Sequence, residues 1–304
     1  RSPHAHAKIK WIDTSAAEAC PGVRAVITGR DLPLSAKLSN AADGEISDSD
    51  RQRMSFQANN FLAGDKVLYK GHAVAAVAAV DANTAEAALK LIKVEYEELP
   101  PVVNVREAME SGSVLLHDNL HTSSMGETSE KPSNVASYML FEKGDVEQGF
   151  SESDIVIERE YETASVHQGY IEPHTATAHW NADGQLNIWC STQGSFVVRA
   201  TTSEVLQYPI SKIKVTPMEI GGGFGGKVAC YQEPVVAVLS KKTGQPVKLV
   251  MSRTEVFEAS GPAPGSWMKV KLGATKDGKL ISGKVTLAFE AGAFPGSPVL
   301  PGST

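Results

Sequence analysis

"KIKVTPMEIGGGFGGKV", Lys212 to Val228, runs a strand-like segment into five glycines within six positions. Gly221, Gly223 and Gly226 have the spacing of a dinucleotide-binding turn. Gly221, Gly226 and Lys227 satisfy a phosphate-binding P-loop except at its last position, where Val228 stands in place of Ser or Thr. Downstream, "EPVVAVLSKKTG" (Glu233 to Gly244) reads as a helix with Pro234 in its first turn and Gly244 at its C-terminal end. "PVKLVMSR" (Pro246 to Arg253) then reads as a strand. Strand, glycine loop, helix, strand is the context of a dinucleotide site, but no acidic residue ends the second strand to hold ribose hydroxyls; Glu255 comes too late. Val228 cannot give an oxygen to a hard cation, which removes the P-loop's magnesium ligand. A turn that merely links two elements would not need so much backbone freedom. The stretch offers main chain that can approach a ligand closely, unshielded amides, and one aromatic, Phe224.

Outward from the loop, hairpins surround this single βαβ-like unit, whereas a dinucleotide domain needs several such units. "TATAHWNADGQLNIWCST" turns at Asp183-Gly184, and "MKVKLGATKDGKLISGKVTLAFE" turns at Asp277-Gly278. "SFVVRATTSEVLQ" reads as a helix and "DIVIEREYET" as an alternating strand. Leu116 to Ser153 includes the Ser/Thr/Gly-rich "HTSSMGETSEKPSN", which reads as a linker. Before it, "HAKIKWI" and "VRAVITG" read as strands and "GHAVAAVAAV" as a buried strand. Asp81 or Asn83 caps the helix "TAEAALKLI", and "KVEYEEL" returns as a strand. Ala36 to Asn60 is polar and without pattern, the signature of a long surface excursion.

A length of 304 residues predicts two domains, and 42% hydrophobic with 21% charged residues suits a soluble protein with a real core. Against 29 basic residues stand 35 acidic ones, so neither nucleic acid nor an anionic membrane is an expected partner. The opening "RSPHAHAKIKWID" has no signal-peptide core and no initiator Met, and "GAFPGSPVLPGST" adds no closing element; both ends read as cut from something longer. Cys20, Cys190 and Cys230 lack metal-ligand spacing. They suit a reducing cytosol and no iron–sulfur cluster held by this chain alone.

"IGGGFGGKV", with "WCSTQGSFVVRA" before it and "AVLSKKTGQPVKLVMSRTE" after it, resembles the molybdenum-binding subunit of the xanthine dehydrogenase and aldehyde oxidase family. "RSPHAHAKI", "PGVRAVITGRDLP", "GHAVAAVAA" and "VEYEELPPVVN" are similar to that family's N-terminal α/β hammerhead domain. "GDVEQGFSESDIVIEREYET" and "YIEPHTATAHW" resemble the start of its molybdopterin-binding region, and the matches run in order to near Pro301. The resemblance implies an α+β fold. It divides the chain into a hammerhead over 1–115, a linker over 116–153 and the first part of a molybdopterin-binding domain over 154–304. It also implies a molybdenum hydroxylase acting on an aldehyde or N-heterocyclic carbon, with water as the oxygen source.

Carried over residue by residue, Gln193 matches the glutamine whose amide hydrogen-bonds the metal's apical oxo group. Phe224 matches the ring that walls the metal site, and Gly225 the amide that faces an oxygen ligand. Val228, with Phe224, would line the substrate pocket. Purine-oxidising members carry a glutamate at the Val228 position, so a purine edge would lose a partner worth about 1–3 kcal/mol, and a less polar substrate is expected. No catalytic residue is expected in this chain: the arginine-containing loop and the base glutamate of the family have no counterpart before Thr304. A C-terminal molybdenum-site segment or subunit, an iron–sulfur subunit and an FAD subunit are the expected partners. The rival readings are a nucleotide-binding oxidoreductase using Gly221 to Gly226, and a non-catalytic assembly module.

Other polar residues read as structural. His117 and His121 would share a helix face as metal ligands, but their surroundings read as loop. His4 and His6 read as surface or satisfied histidines, and Glu158, Glu160 and Glu162 as a solvated strand face. Glu172 and His174 in "YIEPH" read as buried structural groups, and Lys227 as either a contact to the pterin phosphate or a surface lysine.

Overall fold

Alternating side chains along β1 (Ala7–Asp13) place Ala7 and Ile9 against a small core with Ala63, Val67 and Val74. The computed structural model describes residues 1–42 and 44–295, so the last part of "GAFPGSPVLPGST" lies outside the described residues. After the single-turn α1 (Ser15–Glu18) comes β2 (Val23–Thr28). The polar stretch read as a surface excursion is instead largely helical, forming α2 (Pro33–Asn40) and α3 (Asp48–Phe61). Pro33 sits in the first turn of α2, and the Ser47 hydroxyl accepts the Asp50 amide at the start of α3. Local capping thus supplied what apolar periodicity did not. β3 (Lys66–Val67) and β5 (Lys93–Glu98) flank β1 antiparallel, and β4 (Ala75–Ala79) pairs with β2. The expected burial of β4 holds on both faces: Ala76 and Ala78 join the main core, while Val77 packs toward Ala17 and Ala88. Asp81 caps α4 (Ala82–Leu89) through the Thr84 amide at 2.8 Å.

The segment read as a linker carries α5 (Val105–Met109) just before it, and β6 (His121–Ser124), β7 (Glu127–Pro132), β8 (Ser137–Tyr138) and α6 (Val146–Ser151) within it. Short, polar, exposed strands leave little apolar pattern to read. His121 lies on β6, so it shares no helix face with His117, and no His/Cys/Asp/Glu cluster fit for a metal occurs among the described residues. β9 (Ile155–Thr163) follows, and its Glu158 and Glu160 approach Lys269 at 2.6 and 3.9 Å, an exposed, ion-paired face.

β10 (Thr175–Trp180) and β11 (Leu186–Cys190) form the expected hairpin, with Gly184 at φ 83° in its turn. After α7 (Ser195–Leu206), β12 (Ile213–Pro217) lies parallel to β11; after α8 (Glu233–Thr243), β13 (Val247–Val250) pairs with β10. The sheet order is β12-β11-β10-β13. Every residue of α8 from Glu233 to Ser240 is buried, because α8 packs on this sheet and on the β2–β4 pair. A helix so enclosed is apolar nearly all round. α9 (Arg253–Ala259), β14 (Ser266–Ala274) and β15 (Leu280–Phe289) complete the described chain, with β9 pairing to β14.

The described chain falls into two compact units. Among the described residues, one unit joins Arg1–Pro101 to His167–Gly261, and the other joins Val102–Val166 to residues 262–295. Within the first unit, Ile27, Leu32 and Phe61 share one core with Ile188, Val236 and Leu239.

Candidate functional site

Four chain segments meet at one edge of the β12-β11-β10-β13 sheet because of strand direction alone. β11 and β12 are parallel, with Cys190 opposite Pro217, so residues 191–194 and the glycine loop leave the sheet side by side. β10 runs antiparallel to both β11 and β13, which brings residues 168–174 and 251–253 to the same edge. The Met251 amide donates to the His174 carbonyl at 3.0 Å, and the Met218 amide to the Cys190 carbonyl at 3.0 Å.

The glycine loop is not a phosphate-binding turn. Six residues, Lys227 to Gln232, separate Gly226 from the start of α8, so no helix N-terminus faces the loop from within it. Its tip is a tight turn closed by the Gly226 amide on the Gly223 carbonyl at 2.8 Å. Phe224 (φ 50°) and Gly225 (φ 87°) occupy the two central positions, the positive-φ pair of a type I′ turn. The Phe224 ring is 74% exposed. Gly223 has to be glycine for space: a Cβ there would lie 2.5 Å from Gln193 Oε1.

Gln193 is held from one side. Its Oε1 accepts the amides of Gly225 and Lys227, both at 3.1 Å, and its own amide donates to the Lys227 carbonyl at 2.9 Å. Two N–H donors on one side-chain atom fix that atom as oxygen. The Nε2 group has no acceptor among the described residues and remains available to donate. The Gly225 amide, expected to face an oxygen ligand, here donates to Gln193 Oε1. Among the described residues, the amides of Gly222, Gly223 and Phe224 have no acceptor, Gly223 being buried. Val228, half-buried, follows directly, its amide 3.5 Å from the Gly225 carbonyl.

Lys227 is neither a surface lysine nor a free cation. Its side chain is fully buried, with Nζ donating to Glu172 Oε2 at 2.7 Å and lying 4.8 Å from the Tyr170 ring centre. The same Oε2 accepts the Gly221 amide at 2.7 Å. Below, Tyr170 Oη meets His174 Nε2 at 2.6 Å and Ser260 Oγ at 3.1 Å, and Ser260 meets His167 Nε2 at 2.9 Å. Burial, then the neighbouring Lys227 charge, pushes the His174 pKa down to about 3, so this imidazole is neutral. Arg253, from α9, donates to the carbonyls of Tyr170 (2.8 Å) and Ile171. The sequence reading missed α9 and its arginine, although Ser252-x-x-Glu255 is a capping-box signature.

Further from the loop, burial raises the pKa of Glu233 and of the Cys190 and Cys230 thiols; Glu233 accepts the Tyr231 amide at 2.9 Å and the Cys230 thiol at 3.5 Å. Protonated thiols around a buried carboxyl make no metal site. His6 is buried, with Nδ1 2.8 Å from the Pro100 carbonyl and Nε2 without a partner among the described residues, so of the two readings, surface or satisfied, the surface one does not hold.

Among the described residues, the Gln193 Nε2 group and the main-chain N–H groups of Gly222, Gly223 and Phe224 are donors at this edge without an acceptor. They suit an oxygen-rich or anionic group brought against bare backbone, and a sheet with a single parallel pair and no helix starting at the loop is not that of a dinucleotide-binding domain. The family described as "Molybdopterin cofactor-binding domain" matches residues 128–303, and "Aldehyde oxidase and xanthine dehydrogenase, a/b hammerhead domain" matches residues 1–100. The chain belongs to the xanthine dehydrogenase and aldehyde oxidase family of molybdenum hydroxylases, and its fold is the expected hammerhead followed by a molybdopterin-binding α+β domain. It is 34% identical over 299 residues to the carbon monoxide dehydrogenase large chain of Afipia carboxidovorans, covering 97% of this chain and 36% of that one. It is 32% identical to the nicotinate dehydrogenase large molybdopterin subunit of Eubacterium barkeri, covering 97% and 63%. The solved structure of reconstituted CO dehydrogenase from Oligotropha carboxidovorans superposes with a TM-score of 0.75 at 32% identity, covering 94% of this chain and 35% of that chain. The chain thus spans about a third of the length of several relatives that it matches. No helix among the described residues is long and apolar enough to cross a membrane.

Proposed function

We propose that this chain supplies the first part of the molybdenum-cofactor site of a hydroxylase acting on an aldehyde or N-heterocyclic carbon. When bound, a molybdopterin-type molybdenum cofactor supplies the two-electron oxidation that turns substrate C–H and water into C–OH with release of two protons. The observation that carries the reading is the Gln193 carboxamide, whose oxygen is held by the Gly225 and Lys227 amides while its Nε2 has no acceptor among the described residues. A neutral donor of this kind orients a cofactor oxygen without adding charge. The unpartnered amides of Gly222, Gly223 and Phe224 offer further donors, and the exposed Phe224 ring walls the site and excludes water. Val228 gives the substrate side an apolar surface with no hydrogen bond for a purine edge. The base that takes the proton comes from a further molybdenum-site segment or subunit. Electrons leave through iron–sulfur and FAD subunits in a cytoplasmic assembly.

Metal and pterin analysis of the native protein tests this reading. Molybdenum and an oxidisable pterin near one per chain are expected, with both reduced in Gln193→Ala. Tight binding of a dinucleotide in place of molybdenum would overturn it.

A further inference from the structure

We propose that Glu172 is a positioning residue: through Lys227 it holds the Gln193 carboxamide and the Phe224 turn in register for the cofactor. The inference rests on the molybdopterin reading for its purpose, though not for its geometry.

The glycine loop has little of its own to hold it. Within it the only main-chain bonds are Gly226 to Gly223 at 2.8 Å and Val228 to Gly225 at 3.5 Å. Five glycines leave many backbone conformations open, so the shape has to be imposed from the loop's ends. Glu172 does this from both ends at once. Its amide donates to the Gly221 carbonyl at 3.2 Å, and its Oε2 accepts both the Gly221 amide and the Lys227 ammonium at 2.7 Å. A Cβ on Gly221 would come within 2.6 Å of the Glu172 Cβ, so the two backbones are pressed together.

Lys227 passes the constraint on. Its side chain is 0% exposed, so it cannot find water if the carboxylate is withdrawn. Its main chain is what fixes Gln193: the Lys227 amide donates to Gln193 Oε1, and the Lys227 carbonyl accepts the Gln193 amide and the Thr192 hydroxyl (3.2 Å). A shift of the lysine stem therefore moves both bonds that aim the Gln193 carboxamide. Glu172 touches neither the carboxamide nor the Phe224 ring, yet it governs both.

Three variants of the native protein test this: Glu172→Gln, Lys227→Met and the double variant. Glu172→Gln keeps an acceptor for Gly221 but leaves a buried ammonium without its counter-charge. The double variant removes that charge, yet nothing then ties residue 227 to residue 172. Hydrogen exchange at the Gly225 and Lys227 amides, which bond Gln193, is the main readout. It is expected to quicken about tenfold or more in all three variants, since a charge-assisted tie has been lost. The double variant is expected to regain the wild-type melting temperature without regaining this protection, and the visible spectrum of bound molybdenum is expected to shift. If exchange in the folded double variant stays within about twofold of wild type, Glu172 only balances a buried charge and the proposal falls. Should the single variants fail to fold, the double variant decides. Should the wild-type protein carry no molybdenum, the cofactor reading falls while the exchange result still decides the clasp.

Discussion

Phe224 holds an αL backbone at φ 50° with its ring 74% exposed, so the chain tolerates strain there without recovering it as burial. A non-glycine residue in this region costs on the order of 1–3 kcal/mol, and glycine's greater unfolded-state freedom takes back about 0.5–1 kcal/mol. Phe224→Gly is therefore expected to raise stability by about 0–2.5 kcal/mol, seen as a higher urea midpoint at unchanged slope, while cofactor retention falls. A lower midpoint would mean that the ring contributes packing that its exposure does not suggest. One residue earlier the sign reverses. Gly223→Ala drives a Cβ to 2.5 Å from Gln193 Oε1, and the loss of about 1–3 kcal/mol should appear together with reduced molybdenum content. Opposite stability changes at adjacent positions, with cofactor loss in both, would separate a loop shaped for a ligand from one shaped for the fold.

At the scale of elements, α9 is the support that the sequence reading passed over. The Ser252 hydroxyl accepts the Glu255 amide at 3.2 Å, and the Ser252 amide donates to Glu255 Oε2 at 2.7 Å. Ser252→Ala is expected to cost about 1 kcal/mol by thermal melt and to loosen residues 170–171, whose carbonyls Arg253 holds. An unchanged melt would place the start of α9 under tertiary control alone. The strands of the β10-β11 and β14-β15 hairpins, the helix α8 and the buried β4 were legible, because alternation, Asp-Gly turns and a Pro-to-Gly helix frame each carry a local cause. α2, α3 and the short strands β6 to β8 were not, since capping and pairing make them without an apolar stripe. Phe224 stood out as the one aromatic of the glycine loop, whereas Gln193 was singled out only through the family resemblance that "STQ" and the loop carry together. The Glu172–Lys227 pair was not legible as such, because 55 residues separate its members and only the sheet order brings them together.

For the whole molecule, acid and core packing give separate tests. Burial lowers His72 to about 4 and His174 to about 3, and His72 is fixed as the Nε2–H form by the Asn59 carbonyl (2.7 Å) and the Leu68 amide (3.2 Å). Below an unfolded value of about 6.5 the unfolded chain takes up two protons that the native chain refuses, so acidification destabilises. Glu233 works in the other direction. Its raised pKa favours the native state fully below about 4.5 and loses that advantage as pH rises through the folded value. Stability is expected to fall from pH 6.5 to 5, each histidine contributing up to about 1.4 kcal/mol per pH unit, and Glu233→Gln is expected to steepen the fall. Urea denaturation at pH 7, 6 and 5 measures both slopes, and stability that rises on acidification contradicts the assignment. The packing test concerns α8, whose Leu239 is fully buried in a core shared with Ile27 and Phe61 from the hammerhead segment. Leu239→Ala leaves a cavity costing about 2–5 kcal/mol. Because one core serves both Arg1–Pro101 and His167–Gly261, that loss is expected to lower the urea midpoint for peptides of β2 and β4 as much as for those of β10 and β11, by hydrogen exchange. If β2 and β4 kept their wild-type midpoint while β10 and β11 shifted, the hammerhead would be an independent folding unit. The contiguous core predicts instead that residues 1–101 and 167–261 unfold in one step.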